Sequence, residues 1–177
     1  KGKIGIWDDI VTKEGWIRNT ILFGKYRLLH KLGTGRAGTV WLAVHIGLEE
    51  YRAIKRISKR DADYDTFRRE ALVLKELRHP GIPMIYDLEE DSEFFYLIEE
   101  YLEGYSLYAL IANQGPIQEA EAVRYGMQVC GLVAYMHSAC ELPILHLDLQ
   151  PNNLIICNGT VKLIDFDHAA GCRWANI

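Results

Sequence analysis

Three closely spaced glycines constrain what this chain can fold into more than any other feature. Gly33, Gly35 and Gly38 follow a β-rich run over residues 26–32 and precede a second apolar, β-branched run over residues 39–46. A dinucleotide-binding glycine motif needs a helix directly after the glycines, and a strand pattern follows here instead. Glycine lets the backbone approach phosphate oxygens closely. The spacing therefore predicts a strand–loop–strand hairpin over an anion, although an ordinary glycine-rich turn has the same pattern in isolation.

A lysine lies within the next apolar run, which covers residues 51–57. Lys55 follows two apolar residues, and an unpaired charge buried in such a strand is costly. Its anionic partner could be a nucleotide phosphate or Glu70, which lies in a predicted helix over residues 65–77. A lone lysine at a strand end is usually solvated, but the order of glycine hairpin, lysine and acidic helix favours a binding role.

A second group of polar residues lies among short predicted strands. Asp148 and Asn153 belong to a polar loop after residues 144–146, and Asp165 ends a predicted strand over residues 161–164. Mg²⁺ prefers oxygen ligands that it shares with phosphates. Any one of these residues alone is most simply a turn former. The three in this order predict a candidate base, Asp148, beside two oxygen donors for a metal.

The remaining segments indicate an α+β chain. Residues 84–88 and 94–99 form a predicted hairpin, and residues 106–112 and 118–138 have helical patterns. The first half is therefore predicted to be a sheet with one helix, and the second half begins with helices.

Composition narrows the functional classes. The net charge of −4 and pI of about 5.9 argue against a nucleic-acid surface. No apolar run approaches the ~20 residues that span a bilayer. The four cysteines have no zinc-finger or C-x-x-C spacing, which is typical of free thiols in a reducing compartment. We expect a cytoplasmic protein, or the cytoplasmic domain of a protein whose membrane segment lies outside this chain.

Together these motifs resemble those of the eukaryotic-type Ser/Thr protein kinase family. The match covers roughly residues 26–170 and includes the glycine loop, the strand with Lys55, the helix with Glu70, the linker over residues 100–104 and both metal-binding motifs. The resemblance implies an α+β fold with an N-terminal antiparallel β-sheet lobe carrying one helix and a partial helical C-terminal lobe. The corresponding boundaries are an extension over residues 1–24, the N-lobe over 25–100 and the partial C-lobe over 101–177.

The resemblance also implies a role for each matching residue. Asp165 and Asn153 would hold Mg²⁺, and Asp148 would accept or orient the proton of the attacking hydroxyl, with Lys55 and Gln150 completing the catalytic group. The predicted ATP-binding residues are Leu32, Gly33, Thr34, Gly35, Arg36, Ala37, Gly38, Val40, Ala53, Lys55, Glu70, Glu100, Leu102 and Ile155.

Four positions depart from the family pattern. Leu147 replaces the arginine before the catalytic aspartate and cannot bind an activating phosphate. Gln150 replaces a lysine, so it can hydrogen-bond a γ-phosphate oxygen but cannot neutralise it, and slower transfer is expected. Asp167 replaces a glycine, which is expected to reduce backbone freedom. Glu99 lies where the residue behind the adenine pocket belongs, and we expect it to pair with a neighbouring polar group.

The chain ends twelve residues after Asp165. The resemblance implies further helices that cover the long helix over residues 118–138, so this helix is expected to expose apolar surface. Self-association or another chain could cover such a surface.

The sequence thus predicts an ATP- and Mg²⁺-dependent protein kinase domain that transfers the γ-phosphate to a Ser/Thr hydroxyl of a protein. Two alternatives stay open. The first is a small-molecule phosphotransferase of the aminoglycoside or choline kinase type, which has a similar polar loop and a motif close to residues 164–167. The second is a pseudokinase that binds nucleotide or acts as a scaffold without turnover.

Overall fold

A computed structural model describes residues 18–35 and 38–171. The predicted ATP-binding residues Arg36 and Ala37 lie outside the described residues, as do most of the extension and Cys172. The other three cysteines, Cys130, Cys140 and Cys157, are free thiols, as expected.

The first part of the chain forms one antiparallel sheet of six strands with a single helix. The sheet order is β1-β2-β3-β4-β6-β5. Its elements are β1 (Ile21–Leu22), β2 (Tyr26–Thr34), β3 (Thr39–His45), β4 (Glu50–Ser58), helix α1 (Tyr64–Leu74), β5 (Ile85–Glu90) and β6 (Phe94–Glu100). Strand β1, which pairs with the start of β2, brings part of the predicted extension into the sheet.

Both faces of the central strands are buried. One face carries a cluster that includes Trp41 and Ile54. Helix α1 covers the other face through Phe67, whose ring stacks on Phe95 with 4.8 Å between centroids. The central strands are consequently buried on both faces, and a charged residue among them must find a partner within the protein or in a ligand.

Strand register decides which side chains share the helix-covered face. Lys55 lies opposite Leu97, and Ala53 lies opposite Glu99, in the β4–β6 ladder. Directly opposite residues project from the same side of a sheet. The register therefore places Lys55 and Glu99 on the face that α1 packs against.

The second part of the chain begins with helices and ends in short strands. Its elements are β7 (Tyr105–Ser106), α2 (Leu107–Gln114), α3 (Glu119–Ser138), β8 (Ile144–Leu145), a 3₁₀ helix (Pro151–Asn153), β9 (Leu154–Cys157), β10 (Thr160–Leu163) and β11 (Ala170–Gly171). The Ser106 hydroxyl caps α2 by accepting a hydrogen bond from the Ala109 amide at 3.1 Å. The α+β prediction is confirmed.

A shared hydrophobic core joins the two parts. It combines Leu74 at the end of α1 and Ile82 with Leu132 and Met136 of α3 and with Phe166, all at most 3% exposed. The burial of these side chains in one core fixes the end of α1 relative to the polar loop that contains Asp148 and Asn153.

Element boundaries differ from the predictions mainly at ends. Helix α1 was predicted over residues 65–77 and ends at Leu74, because the next residues form single turns, with the Leu77 amide donating to the Leu74 carbonyl. Leu77 stays buried in this looser geometry, so the apolar pattern continues past the helix. No helix among the described residues is both long and apolar enough to cross a membrane.

Candidate active site

The Lys55 ammonium lies at the centre of a group of carboxylates. Its Nζ is 3.0 Å from Glu70 Oε2 and 3.1 Å from Asp165 Oδ1, and it also contacts Asp167 Oδ1. Lys55 and Glu70 are only 5% and 4% exposed. Strand β4, helix α1 and the segment after β10 thus contribute charges to one buried cluster.

Electrostatics keep this lysine charged. Burial by itself would lower the pKa of Lys55, but the carboxylates of Glu70, Asp167 and Asp165 hold it above its ordinary value. Burial raises the pKa of Glu70 even though Lys55 opposes the shift. Burial and the neighbouring Glu70 carboxylate likewise raise the pKa of Asp167.

Glu70 also connects helix α1 to the segment after β10. Its Oε1 accepts a hydrogen bond from the Phe166 amide at 3.1 Å, while its Oε2 faces Lys55. The Phe166 ring is fully buried and meets the His146 ring edge to face, with 4.7 Å between centroids. Each carboxylate oxygen of Glu70 therefore has a partner on a different element.

A second hydrogen-bonded group surrounds Asp148. Its Oδ2 accepts hydrogen bonds from Asn153 Nδ2 at 2.9 Å and from Gln150 Nε2 at 2.8 Å. The Asp148 backbone carbonyl accepts from the same Asn153 nitrogen at 2.9 Å. Since the Asn153 nitrogen faces Asp148, its amide oxygen is the atom left for a cation.

His146 ties this loop to the strand that leads to Asp165. Its Nδ1 accepts from the Asp148 amide at 3.3 Å, and its Nε2 lies 3.1 Å from the Ile164 carbonyl. A neutral ring protonated at Nε2 satisfies both contacts. Burial lowers the pKa of His146, which favours that neutral form.

Backbone conformation departs from the ordinary at two positions of the site. Leu147 and Asp165 have φ of 63° and 65°, in the left-handed region that non-glycine residues rarely adopt. Leu147 directly precedes the predicted catalytic Asp148, and Asp165 is itself a predicted metal ligand; such strain is common at functional sites. Asp167 does not have a positive φ, so a non-glycine residue is accommodated there without backbone strain. The replacement of glycine therefore acts through the added side chain and not, as the sequence led us to expect, through reduced backbone freedom.

Glu99 lacks the polar partner that the sequence led us to expect. Within the described residues it has no hydrogen bond or ion pair. Burial raises the pKa of Glu99 to about 7, and Asp165 and Asp167 add to the shift while Lys55 opposes it. The prediction of a paired carboxylate was wrong: Lys55 attracts Glu99 electrostatically, but the two side chains form neither a hydrogen bond nor an ion pair.

The predicted adenine contacts lie around the β-hairpin and the linker. Ala53 and Leu102 are 8% and 7% exposed, Val40 and Ile155 are half-buried, and Leu32 is 41% exposed. The Glu100 amide donates to the Met84 carbonyl at 2.8 Å, so its own carbonyl is the group that could meet a ligand. Their roles in nucleotide binding stay predictions.

Gly38 is required by sterics. A Cβ at this position would lie 2.0 Å from the Arg56 carbonyl oxygen, whereas Gly33 and Gly35 have open space. The predicted residue Thr34 ends β2 opposite Thr39.

Two features of the site were missed or undervalued in the sequence. The Asp167 carboxylate joins the Lys55 cluster, and Glu70, Asp165 and Asp167 bring ligand oxygens within 4.8 Å of one another. The Glu70 contact with the Phe166 amide had no sequence signal, because a backbone donor has no side-chain identity. A carboxylate in place of a flexible glycine was the signal for Asp167.

Comparison with known proteins identifies the family. Residues 26–175 match the family model described as the protein kinase domain. The chain belongs to the protein kinase family. This membership accounts for the order of glycine hairpin, lysine strand, acidic helix and polar loop.

The similar proteins include bacterial and eukaryotic kinases. The chain is 36% identical over 149 residues to the serine/threonine-protein kinase PrkC of Bacillus subtilis, which covers 81% of this chain and 22% of that protein. It is 38% identical over 146 residues to a probable serine/threonine-protein kinase KIN1 homolog of Enterocytozoon bieneusi, with coverages of 81% and 24%. Calcium-dependent protein kinase 5 of Plasmodium falciparum is 34% identical over 148 residues, with coverages of 81% and 26%. The chain thus spans about a quarter of the length of these relatives.

Proposed function

We propose that this chain is the nucleotide-binding part of a Ser/Thr protein kinase that transfers the γ-phosphate of ATP to a protein hydroxyl. The observation that carries the proposal is the buried contact of Lys55 with both Glu70 and Asp165. A buried lysine held by carboxylates from two other elements is suited to phosphate binding. Family membership and the serine/threonine-protein kinase names of relatives support the same reaction class.

The chemistry follows from the two groups of residues. Lys55 would neutralise phosphate oxygens of ATP, and Asp165 and Asn153 would hold Mg²⁺ through a carboxylate and an amide oxygen, a donor set that fits this ion. Mg²⁺ supplies neutralisation of the phosphate charge. Asp148 would accept or orient the proton of the attacking hydroxyl through Oδ1, because Oδ2 already accepts from two amides. Positioning and charge neutralisation account for most of the catalysis in such a transfer.

Substrate and cellular context are part of the proposal. A protein with a Ser/Thr hydroxyl is the proposed acceptor, and a location in the cytoplasm stays a prediction. Helix α3 exposes Val123 and Met127, which are 56% and 70% accessible and one helical turn apart. The exposed apolar surface agrees with expectation, and its cover by self-association or another chain is a prediction that sedimentation of this 177-residue chain can test.

A transfer assay separates the alternatives. Full-length protein is incubated with labelled Mg·ATP and with protein acceptors, aminoglycosides or choline. We expect label on Ser/Thr residues of proteins, including the kinase itself, and far less label with the Asp148→Asn variant. Label on the small alcohols or amino sugars alone would favour the small-molecule enzyme, and ATP binding without any transfer would favour the pseudokinase.

A further inference from the structure

The three N–H donors of Lys55 are the groups that a nucleotide phosphate would need, and carboxylates of the chain already contact this ammonium group. An ammonium group has three N–H donors. Glu70 and Asp165 place carboxylate oxygens at 3.0 and 3.1 Å from Nζ, and the Asp167 carboxylate also contacts it. Each of the three N–H donors of Lys55 therefore has a carboxylate partner within the chain, and a phosphate oxygen would have to replace one of them.

The three carboxylates differ in how easily they can leave. Glu70 has a side chain only 4% exposed, and its other oxygen is fixed by the Phe166 amide. Asp165 has a side chain that is 36% exposed, so its carboxylate can rotate towards a cation without a change in the backbone position. Asp167 is 19% exposed and belongs to a short segment after β10. A glycine at this position would leave one donor of Lys55 free.

The excess of carboxyl groups around Lys55 also opposes the binding of a nucleotide phosphate. The register that places Glu99 beside Ala53 adds a fourth carboxyl to the face that carries Lys55. Within the described residues, one ammonium group thus faces the carboxyls of Glu70, Glu99, Asp165 and Asp167. A triphosphate that enters this cluster meets an excess of negative charge, and each carboxylate removed lowers the repulsion.

We infer that Asp167 competes with a nucleotide phosphate for Lys55, because its carboxylate occupies an ammonium donor that the phosphate needs. Phosphate binding displaces the Asp167 carboxylate from Nζ, whereas Glu70 keeps its contact. The inference rests on the proposed nucleotide site and not on phosphotransfer. Asp167 is a positioning residue in this scheme, because it sets the availability of Lys55 rather than touching the reacting atoms.

Equilibrium binding of ATP, ADP and adenosine tests the inference. Affinities are measured on the full-length protein, with and without Mg²⁺, for the native sequence, Asp167→Asn and Asp167→Gly. Asparagine keeps the shape and removes the charge, and glycine removes the contact. We expect both variants to bind ATP and ADP on the order of tenfold more tightly without Mg²⁺, because a charge-assisted contact no longer competes. Adenosine affinity should not change, since adenosine has no phosphate to reach Lys55.

A surface variant provides the matched control. Asp87 also pairs with a lysine, Lys25, but at 3.3 Å on an exposed part of the sheet. Asp87→Asn should leave all three affinities unchanged. Thermal unfolding of each variant checks that the fold is retained, and the asparagine variant serves if the glycine variant unfolds.

Other outcomes overturn the inference. Unchanged ATP affinity in both Asp167 variants would do so, and so would equal tightening for adenosine. Weaker binding of ATP only in the presence of Mg²⁺ would instead make Asp167 a metal ligand. If transfer activity is intact in these cases, the proposed function survives, whereas failure of every form to bind any of the three compounds overturns both proposals.

Discussion

The two halves of the candidate site are built from opposite kinds of contact. Lys55 is held by carboxylates from α1 and from the segment after β10, almost entirely out of contact with water. Asp148 is held by two neutral amides, from Asn153 and from Gln150, and Gln150 is exposed. Charge therefore organises the half that we propose binds nucleotide, and directional hydrogen bonds organise the half that we propose carries out transfer. Substitutions that alter charge should act on binding and stability in the first half and on turnover in the second.

The largest expected effect is on turnover, from Asp148→Asn. Asparagine keeps most of the shape but cannot accept a proton, so transfer should fall about 10²- to 10⁴-fold. ATP affinity should change little, because the Lys55 group is untouched. Radiolabel transfer and equilibrium ATP binding measure the two quantities. A matching loss of ATP affinity would contradict the separation of the two halves.

Removal of the Lys55 ammonium from its carboxylate cluster should mainly lower the free energy of unfolding. Lys55→Met leaves Glu70 buried without its cation, and removal of one partner of a buried ion pair typically costs about 3–5 kcal/mol. Chemical denaturation of the full-length protein measures the loss in the free energy of unfolding. Lys59→Met is the control, because its pair with Glu90 is exposed and worth less than about 1 kcal/mol. Equal losses in both variants would rule out a special role for burial.

Substitutions of Gln150 should either speed or slow transfer, depending on whether they add a charge or remove its hydrogen bond to Asp148. Gln150→Lys adds the charge that the family pattern has at this position, and we expect roughly tenfold faster transfer through neutralisation of the γ-phosphate. Gln150→Ala removes a hydrogen bond to Asp148 and should slow transfer by a few-fold. Steady-state kinetics should place both changes in kcat rather than in the KM for ATP. Slower transfer in the lysine variant would show that holding Asp148 is the main task of Gln150.

The smallest expected effect concerns pH and Glu99. Its pKa of about 7 in the folded protein lies above the ordinary glutamate value, so the native state binds more protons and stability from this group falls as pH rises towards 7. Glu99→Gln should raise the melting temperature by a few degrees at pH 8 and leave it unchanged at pH 4. It should also weaken the decline in ATP affinity between pH 6 and pH 8, because one negative charge no longer develops near Lys55. Calorimetry and ATP binding at these pH values provide the comparison, and identical pH profiles would refute it.

Local patterns were sufficient to predict most of the fold. The β-rich runs around the glycines, the buried-strand lysine and the 3.6-residue period of α3 each depend on neighbours along the chain, and the α+β prediction was confirmed. Helix ends were less predictable, as the early end of α1 shows, because the apolar period of Leu74 and Leu77 continues through residues that form only single turns.

The sequence by itself determined the residue types and their order: a glycine hairpin, a lysine in an apolar strand, an acidic helix and a polar loop with Asp148, Asn153 and Asp165. The sequence offered Glu70 as a partner of Lys55, but only the tertiary structure decided that Asp165 and Asp167 also meet this lysine. Lys55 and Asp167 are separated by 112 residues along the chain, yet they are in contact. The pairing of Glu70 with a backbone amide and the placement of Glu99 on the same sheet face as Lys55 were decided in the same way. Coulombic contacts depend on distance and burial in three dimensions, and neither is encoded in the spacing of residues along one strand or helix.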